Sequence, residues 1–275
     1  MRGRELAAAL RAGARVYGTC VVSPSPAWPS MMAGLGMDFA FIDSEHISLG
    51  RETLSWMCRA FDAHGIAPIV RVPEPDPYRA CMVLDGGAHG VIFPYVESVD
   101  QVVALRGAVK LRPLKGQRLR NALDGTQALE PATADYLAQR NAERVMIVNI
   151  ESVPAMKALD AILAVPGLDA LLVGPHDLSV NLGLPEQYHH PTFLKAIREI
   201  IGKARAASVG VGIHYSEDMD LEIAWAKEGA NFIVHSSDFA IVNKTLSADF
   251  RRFREELDGV APAKPGEKGG GAGAI

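Results

Sequence analysis

Eight short apolar segments that alternate with helical segments predict a (β/α)8 barrel. The apolar segments are rich in β-branched residues and are continuously apolar rather than alternating, which is typical of parallel strands covered on both faces. They span residues 16–22, 39–43, 67–72, 90–94, 145–150, 168–174, 209–213 and 231–236. Strict alternation over about 240 residues is the pattern of this barrel. A doubly wound open sheet is the alternative, but its glycine-rich nucleotide motif is missing after the first strand.

The segments between the predicted strands have the spacing of amphipathic helices. Predicted helices cover residues 51–65, 76–88, 152–167, 192–208, 216–230 and, after the last strand, 247–259. Several carry glycine at or near their ends, as helix C-termini often do. A further short helix is predicted at the start of the chain. The connection at residues 112–141 is too long for a simple helix, so we expect a lid or an interface element there.

The length suits either two small domains or one large α/β barrel. The chain has 275 residues, of which 48% are hydrophobic and 22% charged, enough for a substantial core. We predict a single barrel domain over residues 1–259 and a disordered tail over residues 260–275, which are rich in proline and glycine.

Charge and cysteine content exclude several classes of function. The net charge is −4, and no basic run is interleaved with aromatics, so nucleic acid is not the expected partner. Three widely spaced cysteines argue against a disulfide framework or a zinc ribbon. No apolar stretch approaches the ~20 residues of a membrane span. We therefore expect no membrane association and a cytoplasmic location.

Polar residues follow several predicted strands, at the end of the barrel where active sites lie. They are Asp43 and His46 after strand 2, Arg71 in strand 3, Glu151 after strand 5 and Asp177 after strand 6. Each could be a helix cap or a surface ion pair by itself. Their coincidence at one rim predicts an active site.

The two carboxylates predict a metal site. Glu151 and Asp177 come from nearby strands, and two anions held together need a cation or a proton. A hard divalent ion with oxygen ligands suits them, and a 2-oxo acid could complete its coordination and be polarised. Arg71 could donate to the developing oxyanion, and His46, oriented by Asp43, could move the proton. The Gly-Pro turn in VGPHDLS could hold a substrate carboxylate.

These motifs resemble the HpcH/HpaI aldolase family, the metal-dependent class II pyruvate aldolases related to the citrate lyase β-subunit. The resemblance covers roughly residues 5–255 and is carried by FIDSEH, PIVRVP, LDGGAHGVIFPYVES, GANFIVHSSD and the run from Glu151 to Gly183. It implies a homo-oligomeric barrel, a trimer or hexamer, with the last helix exchanged between subunits. It also implies cleavage of a 4-hydroxy-2-oxo acid to pyruvate, or a related 2-oxo acid, and an aldehyde. The reaction would pass through an enolate that Mg²⁺, Mn²⁺ or Co²⁺ stabilises.

The resemblance also implies a role for individual residues. Glu151 and Asp177 match the metal ligands, His46 the base paired with Asp43, and Arg71 the arginine that binds the keto oxygen. Gly174, Pro175 and the amide of His176 match the turn that holds the pyruvate carboxylate, and Asp85 matches an aspartate that reaches a neighbouring subunit's site.

Four positions depart from the family pattern. Asn149 replaces a glutamine that precedes the metal glutamate, and His176 replaces a small residue. Leu119 replaces the glycine after Arg118, and Cys20 replaces an aromatic residue. We expect Asn149 to contact the substrate still. The residues assigned to the metal and to the enolate are retained. The four departures therefore predict a specialised pocket for the acceptor aldehyde.

Other functions stay open at this point. One alternative is a decarboxylase or another C–C lyase acting on a different oxo acid or an acyl-CoA. Another is a non-catalytic barrel, although such a protein has no physical need for two adjacent carboxylates. A phosphosugar enzyme would bind phosphate after strands 7 and 8, where the expected glycine pairs are lacking. His214 and His235 end those strands and are expected to face the same rim. Residues 236–238 are expected to cap the last helix.

Overall fold

The computed structural model describes residues 1–259, which form a closed barrel of eight parallel strands. The strands pair in chain order, and the last one closes on the first. They are β1 (Val16–Val21), β2 (Phe39–Asp43), β3 (Ala67–Arg71), β4 (Gly90–Phe93), β5 (Val145–Asn149), β6 (Ala170–Val173), β7 (Gly210–Tyr215) and β8 (Phe232–Ser237). The predicted (β/α)8 barrel is confirmed. The tail predicted at 260–275 lies outside the described residues.

Helices connect the strands around the outside of the barrel. They are α1 (Gly3–Ala12), α2 (Trp28–Ala33), α3 (Arg51–Ala63), α4 (Pro77–Gly86), α5 (Val99–Lys110), α6 (Gly116–Asp124), α7 (Pro131–Arg140), α8 (Val153–Lys157), α9 (Leu159–Leu163), α10 (Pro175–Asn181), α11 (Pro191–Ala206), α12 (Met219–Glu228) and α13 (Asp238–Phe253). A π-helical turn, Arg254–Asp258, follows α13.

Alternate residues of each strand point into the barrel lumen. In β2, Phe39 and Phe41 belong to the interior cluster, whereas Ile42 packs against the outer helices. Phe39 stacks on Phe232 with ring centroids 4.4 Å apart. Because side chains alternate along a strand, Asp43 continues the inward-facing row at the carboxyl end of β2.

The amino end of the barrel is held by a buried carboxylate. Asp169 is fully buried, and its Oδ2 accepts from Lys110 Nζ at 2.5 Å and from the Met146 amide at 2.8 Å. Arg11 of α1 also donates to Asp169. This network fastens α1 across the bottom of the barrel, opposite the end where the predicted active site lies.

The long connection at residues 112–141, between α5 and β5, folds as two helices, α6 and α7. Since α5 runs back from the carboxyl end of β4, both helices lie near the amino end of the barrel. Asn141 Nδ2 holds this connection by donating to the carbonyls of Lys110 and Arg112, at 3.1 and 2.8 Å. Leu119, one of the departures from the family pattern, packs against Gly107. The connection is therefore not a lid over its own barrel, and the interface role stays a prediction.

The last helix exposes an apolar surface. As predicted, Ser237 caps α13, its Oγ accepting from the Ala240 amide at 3.1 Å. Within α13 only Asp238 is buried, and the exposed large apolar residues are Phe239, Ile241, Val242, Leu246, Phe250 and Phe253. Among residues 1–259, no helix is both long enough and apolar enough to cross a membrane.

Candidate active site

A buried ion pair forms one wall of the site at the carboxyl end of the lumen. Asp43 and Arg71 are in register on neighbouring strands. Arg71 Nε donates to Asp43 Oδ1 at 2.9 Å, and Nη2 donates to Oδ2 at 2.8 Å. The Arg71 Cζ atom lies 5.1 Å from the centroid of the Phe41 ring, which supports the guanidinium from below. This two-point contact fixes the orientation of Arg71 and leaves Nη1 as the nitrogen that Asp43 does not engage.

Each member of this pair stabilises the charged form of the other. Burial alone would raise the pKa of Asp43, but the hydrogen bonds and positive charge of Arg71 outweigh it and hold that pKa below its usual value. Burial alone would lower the pKa of Arg71, yet Asp43 and then Glu45 raise it. Both groups are therefore charged at neutral pH, as a donor to a developing oxyanion requires.

Glu45 is a site residue that sequence reasoning did not assign. Its side chain is only 8% exposed, and its Oε2 lies 3.0 Å from Arg71 Nε. The same oxygen is 3.8 Å from Nε2 of His46, whose side chain is 42% exposed. His46 was expected to pair with Asp43, but its nearest carboxylate contact in the structure is with Glu45, while both Asp43 oxygens accept from Arg71. The carboxylate that faces His46 is that of Glu45.

Glu151 is oriented by two hydrogen bonds at the opposite wall. Its Oε1 accepts from the Tyr95 amide at 2.6 Å, and its Oε2 accepts from Asn149 Nδ2 at 2.9 Å. Burial raises the pKa of Glu151; these two hydrogen bonds oppose the rise, and the charges of Asp177 and Glu45 add to it. Tyr95 adopts φ 55°, a left-handed conformation that is uncommon for a residue with a side chain. In this conformation the backbone amide of Tyr95 points towards Glu151.

Gly174 separates the two predicted metal-binding carboxylates. A Cβ atom at position 174 would lie 3.1 Å from Glu151 Oε2 and 3.5 Å from Asp177 Oδ2. Both oxygens therefore border the same small space, which the glycine leaves open. The two groups are hard oxygen donors of like charge, and burial already disfavours ionised Glu151, so a divalent cation fits them chemically. Within residues 1–259, no three His, Cys, Asp or Glu side chains form a metal-binding cluster. A site here has two such ligands.

The turn after β6 places the remaining predicted substrate contacts beside this space. Pro175 and His176 begin α10, directly before Asp177. Nδ1 of His176 lies 3.8 Å from Glu186 Oε1, and this nitrogen is buried without a hydrogen-bond partner in the described chain. Asn149 is 1% exposed, and its Oδ1 likewise has none among residues 1–259. The structure thus brings Asn149, Gly174, Pro175 and His176 to the same rim.

The two histidines of β7 and β8 face different ways. His214 is edge-on to Phe41, and its Nε2 lies 3.1 Å from the Ser236 carbonyl oxygen. Burial and the positive charge of Arg71 lower the pKa of His214 to about 4, so its imidazole is neutral. His235 instead pairs with Glu222 of α12 at 2.7 Å, on the outer side of the strand. The expectation that both face the active rim is met only by His214.

Cys20 and Asp85 occupy different environments. Cys20 is fully buried in the lumen, and burial, followed by the charge of Asp43, raises the pKa of its thiol. Asp85 lies on the last turn of α4, is 71% exposed and pairs with Arg112. It is not part of the cluster in its own subunit, so a contribution to a neighbouring subunit's site stays a prediction.

Comparisons with known proteins place this geometry in a family. The model of the HpcH/HpaI aldolase/citrate lyase family matches residues 17–244. A 2-keto-3-deoxy-L-rhamnonate aldolase of Salmonella gallinarum is 30% identical over 257 residues, which cover 93% of this chain and 94% of that protein.

Solved structures give the same result. An HpcH/HpaI aldolase of Desulfitobacterium hafniense is 27% identical with a TM-score of 0.78, over 93% of this chain and 98% of that one. The citrate synthase SbnG is 30% identical with a TM-score of 0.78, over 92% of this chain and 98% of that one. Macrophomate synthase is 25% identical with a TM-score of 0.75, over 95% and 92%. The chain belongs to the HpcH/HpaI aldolase/citrate lyase family.

Proposed function

We propose that this chain is a divalent-metal-dependent aldolase that reversibly cleaves a 4-hydroxy-2-oxo acid. The products would be pyruvate, or a related 2-oxo acid, and an aldehyde. One observation carries the proposal: the carboxylates of Glu151 and Asp177 border a common open space at Gly174. Family membership and the named aldolase relative support it.

Glu151 and Asp177 would hold the metal, which we infer to be Mg²⁺, Mn²⁺ or Co²⁺. Their oxygen donors suit such ions, and two protein ligands leave coordination positions for water and substrate. When bound, the ion would supply Lewis-acid polarisation of the substrate's keto group. Asn149 and the Tyr95 amide orient Glu151 for this role, since each donates to one of its oxygens.

The other residues act on charge and protons. Asp43 fixes Arg71 so that Nη1 can donate to the substrate's keto oxygen, where negative charge develops as the C3–C4 bond breaks. His46 is placed to take the proton from the C4 hydroxyl, which becomes the aldehyde carbonyl, and to return a proton to C3 of the enolate. Glu45 Oε2 lies 3.8 Å from His46 Nε2 and would help to orient the ring. The turn at Gly174–Pro175–His176 would hold the substrate carboxylate.

Proton exchange into pyruvate tests this chemistry without knowledge of the aldehyde. Metal-stripped protein is incubated with pyruvate in D₂O, with and without Mg²⁺, Mn²⁺ or Co²⁺, and deuterium at the methyl group is measured by mass spectrometry. We expect exchange that depends on the metal. Asp177→Ala should lose metal binding and exchange together, whereas Arg71→Ala should bind metal and lose exchange. Absence of exchange with every metal would refute the pyruvate assignment.

A second oxo acid is favoured by one comparison. The structural neighbour SbnG is named a citrate synthase, and citrate formation uses the keto group of oxaloacetate, so we infer that oxaloacetate is the alternative oxo-acid substrate. Parallel assays that follow oxaloacetate decarboxylation and exchange into pyruvate distinguish the two substrates. A decarboxylase without aldolase activity would show only the first.

We also propose a cytoplasmic homo-oligomer, a trimer or hexamer, in which α13 is exchanged between subunits. The exposed apolar residues of α13 support this arrangement, because such a surface needs covering. Sedimentation of the full chain and of Phe250→Glu tests it; a full chain that sediments as a monomer at micromolar concentration would contradict it.

A further inference from the structure

In the described chain, the segments that follow the barrel strands lack lysine and arginine. Connections between each strand and the next helix span residues 22–27, 44–50, 72–76, 94–98, 150–152, 174 and 216–218, and β8 runs directly into α13. Together with the α10–α11 loop at 182–190, these segments of the described chain contain no lysine and no arginine. They do contain acidic residues, including Glu97, Glu186 and Glu217.

Two of these acidic residues lie close to sequence neighbours of the predicted metal ligands. The Glu97 carboxylate accepts from the hydroxyl of Ser152, the residue after Glu151, at 2.6 Å. Glu186 lies 3.8 Å from His176, the residue before Asp177. Negative charge therefore continues from the metal-binding space outward along the rim.

The side chains around the metal-binding space also carry net negative charge. Its carboxylates are those of Asp43, Glu45, Glu151 and Asp177, and its one guanidinium is that of Arg71. A divalent cation and Arg71 together do not offset four carboxylates, and a bound 2-oxo acid adds one more negative charge. A second anionic group would then enter against net repulsion.

Two buried acceptors in the cluster lack donors. The only hydrogen of Arg71 Nε is directed at Asp43, so Glu45 Oε2, although 3.0 Å from Nε, accepts no hydrogen bond within residues 1–259. Asn149 Oδ1 also accepts no hydrogen bond within residues 1–259, and Asn149 is almost fully buried. Buried acceptors without partners favour a ligand that brings O–H groups, whereas a carboxylate brings only acceptors.

Tyr95 supplies a wall for such a ligand. Tyr95 is 55% exposed, and its hydroxyl lies against the Glu45 carboxylate. Its backbone amide donates to Glu151 Oε1 at 2.6 Å, so Tyr95 borders two carboxylates of the cluster. A phenol offers an apolar face together with a neutral hydroxyl, which suits a polar but uncharged molecule.

We propose that the acceptor subsite selects an uncharged, hydroxyl-bearing aldehyde and discriminates against aldehydes that carry a carboxylate. This inference rests on the proposed aldolase function. In the synthetic direction, C3 of the donor enolate bonds to the aldehyde carbon, and the aldehyde oxygen takes a proton to become the C4 hydroxyl. Glycolaldehyde and glyoxylate are suitable probes, because they are similar in size and differ mainly in the charge of the group beside the aldehyde.

The experiment measures kcat/KM for pyruvate addition to each probe with the metal-loaded full-length enzyme, at low and high ionic strength. Glyoxylate is the more electrophilic aldehyde, so the decisive quantity is how the ratio of the two values responds to salt. We expect glycolaldehyde to be favoured by about tenfold or more at low salt. The preference should narrow as the Debye length falls from ~10 Å at 0.1 M to ~3 Å at 1 M.

A matched pair of charge variants locates the effect. Glu97→Gln removes one rim charge and should raise kcat/KM for glyoxylate about twofold to fivefold, with the value for glycolaldehyde unchanged. Glu228→Gln makes the same change at the end of α12, near the opposite end of the barrel, and should alter neither value. A preference for glyoxylate that neither salt nor Glu97→Gln changes would overturn the inference. Failure of metal-dependent deuterium exchange would instead overturn the proposed function, and this inference with it.

Discussion

Gly174→Ala is the substitution that tests the metal site most directly. Gly174 has φ −84° and ψ 97°, which alanine adopts without strain, so the backbone should not change. The added methyl would lie 3.1 Å from Glu151 Oε2 and 3.5 Å from Asp177 Oδ2. The first contact is tighter than an ordinary van der Waals contact, so the Glu151 carboxylate must move by a few tenths of an ångström.

The size of the effect follows from how Glu151 is held. Its two oxygens are fixed by Tyr95 and Asn149, so displacement of the carboxylate loosens one of these bonds. Metal sites tolerate ligand shifts of about 0.2 Å. Perturbed support of a ligand typically lowers metal affinity about 10- to 100-fold. This corresponds to about 1.4–2.8 kcal/mol. The free energy of unfolding of the metal-free protein should change by less than about 1 kcal/mol.

Calorimetric titration of the metal-free protein with Mn²⁺ measures the affinity, and urea denaturation measures the stability. Gly202→Ala is the matched control, because position 202 lies within α11 and has open space around its would-be Cβ. This control should bind metal normally and gain about 0.5–1 kcal/mol of stability. Wild-type metal affinity in Gly174→Ala would refute the assignment of Glu151 and Asp177 as a pair that shares one ion.

Three further substitutions test other parts of the structure. Arg71→Lys keeps the positive charge but loses the two-point contact with Asp43. Deuterium exchange into pyruvate should therefore fall about 100-fold, while Mn²⁺ affinity should stay within about twofold. Near wild-type exchange would show that the fixed guanidinium is not needed. Asp169→Asn leaves Lys110 and Arg11 without their buried partner, and urea denaturation should show a loss of about 3 kcal/mol; a loss below about 1 kcal/mol would mean that solvent replaces the network. The pKa of His214 is lowered to about 4, so the unfolded chain takes up this proton first as the pH falls. The free energy of unfolding therefore contains the full contribution of His214 above pH ~6.5. It falls by about 2–3 kcal/mol as the pH drops toward ~4. His214→Asn should flatten that part of the stability curve, and an unchanged slope would show that other groups cause the acid sensitivity.

The barrel was predictable because each strand is covered on both faces and therefore reads as a continuous apolar run. The same property located the site, since a polar residue such as Asp43 or Glu151 directly after an apolar run marks the carboxyl end of a strand. Family resemblance then added chemistry to these positions. The order of the strands makes β2 and β3 neighbours, and the structure adds the register that sets Asp43 opposite Arg71.

Side-chain partners were less predictable because they depend on rotamers and on which face of a strand a residue occupies. Asp43 was expected beside His46, its near neighbour in sequence, but Arg71 offers two charge-assisted hydrogen bonds and takes both oxygens. Alternation along β8 does carry a usable signal: Val234 lies in the lumen, so His235 faces outward. The left-handed conformation of Tyr95 has no comparable signal, because tyrosine rarely adopts it.

The division between lumen and rim explains how one barrel can serve different reactions. The relatives are named as an aldolase, a citrate synthase and macrophomate synthase, so proteins with different names share this fold. Substitution of one member of the buried Asp43–Arg71 pair would leave an unpaired charge in the lumen, which destabilises the fold. Tyr95 and Glu97 are exposed, and exposed side chains usually change with little effect on stability. Selection for a new partner molecule can therefore act on the rim while the lumen residues are retained, so under the proposed function the acceptor is inferred from the rim.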